Sequence, residues 1–144
     1  MKRFALILCL ILPSFVAAQK FDDKVKLNDI GPIVVELMDG ATNGCWTNLM
    51  EAKNYAAGQI DIAGGKVVET AQEASSVFVI YVQAQRMDDG LCFGGVLVSI
   101  YRPHNHNGVN ALALFSQLMS TGVQANFNNL ALDVTKQAVQ EWIK

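Results

Sequence analysis

Proline and glycine are scarce in this chain, at 3 and 11 of 144 residues. That scarcity excludes a collagen-like or low-complexity polymer. Charged residues are also few, at 17% against 51% hydrophobic, a balance that excludes intrinsic disorder. Positive charge is not in excess. The formal net charge is −2, so the chain has no electrostatic footprint for nucleic acid. After residue 18 no apolar run reaches the roughly 20 residues that a membrane-spanning helix needs. The chain has no Gly-x-Ser-x-Gly elbow and no His-Glu-x-x-His pair. Neither Gly64-Gly65 nor Gly94-Gly95 carries the Gly-Lys-Ser/Thr ending of a phosphate-binding loop. No Asn-x-Ser/Thr glycosylation acceptor occurs. At this length one domain is expected.

The N-terminus has the features of an export signal. Lys2 and Arg3 precede an apolar run over residues 4–12, and Val16 and Ala18 supply small side chains near its end. This pattern predicts a secretory signal peptide over residues 1–18, cleaved before Gln19. Loss of Lys2 and Arg3 then makes the exported chain two charges more acidic. The expected location is periplasmic or secreted, with no stable membrane insertion after cleavage. Residues 19–31 read as an irregular lead-in and residues 32–144 as a single α+β domain.

Of three cysteines, Cys9 lies within the signal. Cys45 and Cys92 remain, and two thiols in an oxidising compartment predict one disulfide. The loop it closes is long, worth about 3–4 kcal/mol by the chain-entropy argument. The spacing is not Cys-x-x-Cys, and two thiols do not complete a metal site.

Periodicity divides the rest of the chain. Residues 33–38 form a β-rich run opened by Pro32, whose place suits the first residue of an edge strand. Trp46, Leu49, Ala52, Ala56, Ile60 and Ala63 recur at helical spacing, with Thr47 or Asn48 as cap and Gly64-Gly65 as stop. Residues 66–70 read as a short strand. Two long strands, 76–86 and 93–102, flank Asp88-Asp89-Gly90, whose composition suits a hairpin turn better than a cation loop. With Asp89 as apex, Phe78 meets Ile100, Ile80 meets Val98, Val82 meets Val96 and Ala84 meets Gly94. All these partners then share one face, so the register is well specified. The opposite face carries Tyr81, Gln83, Gln85 and Tyr101 and is expected to be covered only in part. Arg86 and Arg102 belong by parity to the Val and Ile face, at the ends of the sheet.

Residues 104–108 read as a loop. Leu112, Phe115, Leu118 and Met119 read as the stripe of a helix over 109–119, although near-continuous apolarity also suits a strand. A last helix follows Asn126 or Asn128, with Leu130, Val134, Ala138 and Trp142 along one side. The expected fold is α+β, a small antiparallel sheet with its central hairpin at about 76–102, packed against two or three helices in the order β-α-β-β-β-α-α.

Function is less legible than fold. The leading expectation is an exported, non-catalytic binding or accessory protein of inhibitor, immunity or assembly-factor type. Its partner would be another envelope or secreted protein. The candidate interaction surface is Tyr81, Gln83, Gln85, Tyr101 and Trp142. No cofactor and no catalytic residue is assigned. One alternative is a small-ligand or divalent-metal carrier using His104 and His106, the only two histidines, which lack a third ligand. Another is a small periplasmic hydrolase using Ser75, Ser99 or Ser116, for which no motif speaks.

Overall fold

The computed structural model describes residues 30–143 apart from Asn107. The expected signal peptide and most of the lead-in lie outside the described residues. The elements run in the order β1 (Ile33–Ala41), α1 (Leu49–Ile62), β2 (Val67–Val68), β3 (Ser76–Arg86), β4 (Cys92–His106), β5 (Val109–Gln124) and α2 (Asn128–Trp142).

The expected antiparallel sheet with two or three helices is corrected here. The strands form one mixed five-stranded sheet, ordered β2-β1-β3-β4-β5, and the described residues hold two long helices. β1 runs parallel to both β2 and β3, whereas β3, β4 and β5 form an antiparallel meander. The physical reason lies in connection length. A crossover through α1 returns the chain to the same end of the sheet, so β2 must pair parallel to β1. The chain then passes beneath the start of β1 to reach β3. On that path the Ser75 and Ser76 amides donate to the Pro32 carbonyl, at 2.7 and 3.1 Å. Gly31 permits this crossing, because its φ is +59° and a Cβ there would stand 2.9 Å from the Ser75 Cβ. Ile30, just before it, is fully buried, and its carbonyl accepts from the buried Ser76 hydroxyl at 2.7 Å.

The second correction concerns residues 109–119. The expected helix is the first part of strand β5, which pairs with β4 along its whole length. A register shift at Ile100/Tyr101 sets Ile100 opposite Ser116 and Tyr101 opposite Leu114. The extra residue breaks the two-residue alternation, so Leu112, Phe115 and Leu118 fall three apart and imitate a helix stripe. The segment expected as a loop is corrected too, because β4 continues to His106 and forms a hairpin arm with the start of β5.

The β3–β4 register agrees with the pairing derived from the sequence. Phe78 meets Ile100, Ile80 meets Val98, Val82 meets Val96 and Ala84 meets Gly94. Their shared face, with Ile33 and Val35 of β1, packs against Ala52, Ala56 and Ile60 of α1 and Ala131, Val134 and Ala138 of α2. Helix α1 ends where the glycines predict. The Gly64 amide donates to the Asp61 carbonyl and the Gly65 amide to the Ile60 carbonyl, both at 2.8 Å, with Gly64 at φ +91°. At its start Asn48 is the cap residue, but its side chain bonds the Glu51 carboxylate rather than a backbone amide.

The expected disulfide is present between Cys45 and Cys92, which are 47 residues apart in sequence. It ties the loop before α1 to the start of β4. Close by, the Asn128 side chain accepts from the Thr47 amide and donates to the Thr47 hydroxyl, both at 2.9 Å. The two helix N-termini are thereby joined beside the bridge.

Candidate functional site

Both helices pack on one face of the sheet, and the other face has no helix over it among the described residues. Strand alternation determines what this open face carries. One row across the sheet is Met38, Tyr81, Leu97 and Met119. The next is Gly40, Gln83, Gly95 and Thr121, and the third is Gln85, Phe93 and Val123. The middle row has two positions without side chains, so the surface sinks between the outer two.

The result is a trough running across the strands, with a volume of about 700 Å³. Tyr81 lies along its floor. A Cβ on Gly40 would come within 3.1 Å of the Tyr81 ring, and the Tyr81 hydroxyl donates to Gln83 Oε1 at 2.8 Å. At the other end a Cβ on Gly95 would stand 2.9 Å from the Thr121 methyl group. Phe93 and Met119 project from the two walls, 60% and 66% exposed. None of the residues lining the trough is charged. An uncharged, mostly apolar concavity with amide and hydroxyl groups at its base suits recognition of a neutral surface rather than proton transfer.

The structure brings Tyr81, Gln83 and Gln85 into this trough. Tyr101 is on the same face but farther along β4, opposite Val77 and Leu114. Trp142 must be removed from the candidate surface. It is buried on the helix side, with its ring 6.4 Å from that of Phe78, because the last turn of α2 lies over the core.

His104 lies exposed on the hairpin arm, and the side chain of His106 lies outside the described residues. No group of three His, Cys, Asp or Glu that could hold a metal ion occurs among the described residues. Of the candidate serines, Ser99 is buried in β4 between Val79 and Gln117, and Ser116 stands opposite Ile100.

Sequence reading missed Gly40, Phe93, Gly95, Met119 and Thr121. Hairpin parity already placed Phe93 and Gly95 on the face of Gln85 and Gln83. The contribution of β5 was hidden by its helix-like spacing.

No family model matches the chain, and no curated protein does. Similarity appears among solved structures. A PelC dodecamer from Paraburkholderia phytofirmans shares 16% identity over 78% of this chain and 87% of that one, with a TM-score of 0.50. A hypothetical protein from Chlamydia trachomatis shares 10% identity over 78% of this chain and 91% of its own, with a TM-score of 0.45. A lipoprotein from Neisseria meningitidis shares 15% identity over 76% and 95%, with a TM-score of 0.39. At such identities the likeness is one of fold.

Proposed function

We propose that this chain is an exported, non-catalytic accessory protein of the cell envelope that works by holding a protein partner on its open sheet face. The observation that carries this reading is the uncharged trough between the Tyr81–Leu97–Met119 row and the Phe93–Val123 row. A soluble domain seldom leaves a large contiguous apolar patch exposed unless something binds there. Exposed aromatic and methionine side chains around a concavity are the usual anchors of a protein interface. Export is supported by the N-terminal sequence and by the Cys45–Cys92 bridge, since such bridges persist in oxidising compartments. The fold resemblance to a protein solved as a dodecamer is compatible with a role in assembly.

The test is photo-crosslinking from a reactive amino acid at position 93, in the native envelope. A discrete adduct with one envelope protein is expected, lost when Gly95→Leu fills the trough. Absence of any adduct, together with turnover of a small substrate by the purified chain, overturns the proposal.

A further inference from the structure

We infer that the outer edge of β5 is a self-association surface, on which two copies of this chain pair β5 to β5, antiparallel, into one continuous sheet. The surface is the backbone edge of β5. Met119, Thr121 and Val123 also line the trough, but self-pairing uses the amides and carbonyls of the edge and does not rest on a partner in the trough. β5 is the last strand of the sheet, and its inner side is laddered to β4 from Val109 to Gln124. Its outer side presents the backbone amides and carbonyls of a 16-residue strand to no other strand among the described residues. Such an edge is a template for another strand, and soluble proteins blunt it with charge, proline or short length.

The two sides of this sheet are treated oppositely. β2 has only two residues, and beyond it the exposed part of β1 carries Glu36 and Asp39. β5 contains no Lys, Arg, Asp, Glu or Pro in its 16 residues. Its bulge near Phe115 leaves Ser116–Gln124 as an uninterrupted ladder. The geometry therefore points to Ser116–Gln124 as the paired segment.

A second copy fits this segment for reasons of charge and symmetry. Antiparallel self-pairing sets Gln117, Met119, Thr121 and Val123 beside the same neutral set, so no charge is buried. The rest of the acidic chain would repel its own copy, whereas β5 does not. A two-fold contact also closes, because each copy satisfies the other's edge and no further edge is left on that side.

The experiment uses the exported chain with its disulfide intact, followed by sedimentation over a range of concentrations and by amide hydrogen exchange. A dimer is expected, with exchange at Ser116–Gln124 slowing as it forms. Thr121→Lys would bring like charges together diagonally beside the two-fold at Ser120, and Gln117→Lys, independently, would put a charge on the edge near the end of the paired segment. The first should weaken the dimer by about tenfold or more and the second by less. Both positions are exposed, and circular dichroism reports whether each variant is folded. A monomer at every concentration overturns the inference. So does a dimer indifferent to both lysines, or one in which the β5 amides exchange as in the monomer. Protection of β5 only on adding a different envelope protein would assign the edge to a donated strand and likewise refute self-pairing.

Discussion

Arg86 and Cys92 stand directly opposite each other across the β3–β4 ladder, and both reach the same loop. Cys92 is bonded to Cys45, and the Arg86 guanidinium donates to the carbonyls of Asn43 and Gly44, at 2.8 and 3.1 Å. A third donor nitrogen of Arg86 meets the Gly90 carbonyl in the hairpin turn. One cation thus fastens the loop before α1 to the β3–β4 turn, alongside the covalent bridge.

Removing the bridge by Cys92→Ser should cost about 2–5 kcal/mol of unfolding free energy, because the unfolded chain regains loop entropy. Arg86→Ala should cost about 1–2 kcal/mol, since its bonds are charge-assisted but solvent-exposed. The two restrain one loop, so the double variant should depart measurably from additivity. Urea unfolding of the four proteins checks this, and strict additivity would show that the two act separately.

Gly94 and Gly95 are adjacent but should respond differently to alanine. A Cβ on Gly94 would stand 2.1 Å from the Gln83 carbonyl oxygen and 2.5 Å from the Ala84 Cα, both fixed backbone atoms. Gly95→Ala meets the Thr121 side chain and the Ser120 carbonyl at longer range, 2.9 and 3.0 Å. Gly94→Ala should therefore lose about 3 kcal/mol or more, and Gly95→Ala clearly less. Thermal midpoints of the two variants decide the order.

Trp142 and Phe93 make the corresponding contrast between core and surface. Trp142→Ala removes a buried ring packed near Phe78 and should cost about 3–5 kcal/mol. Phe93→Ala truncates an exposed ring and should change stability by about 0.5 kcal/mol or less. Loss of partner adducts without loss of stability in Phe93→Ala would separate binding from folding.

Thr135 is fully buried in α2, and its hydroxyl has no hydrogen-bond partner among the described residues. Valine keeps the shape and removes the unpaired polar atom. Thr135→Val should raise stability by about 1 kcal/mol, measured as a higher urea midpoint at unchanged slope. A drop in stability would reveal a bound water or other partner at that hydroxyl.

Sequence by itself determined the features that rest on local chemistry. The α1 stop follows from Gly64-Gly65, since glycine takes a left-handed backbone at little cost. The β3–β4 register follows from placing every apolar partner on one face, which a shift of one residue would undo. Pairing of Cys45 with Cys92 follows from counting the two thiols left once Cys9 is assigned to the expected export signal. Only the tertiary structure decided the remainder. Leu112, Phe115, Leu118 and Met119 satisfy a helix stripe on paper, but the free edge of β4 offers their backbone a ladder, and a bulge absorbs the mismatch. The parallel pairs of β1 arise from the α1 crossover, and Trp142 is buried because α2 lies on the core. The trough is decided at the same level. Gly40, Gly95 and Thr121 come from three strands, and no local pattern records that they share a row.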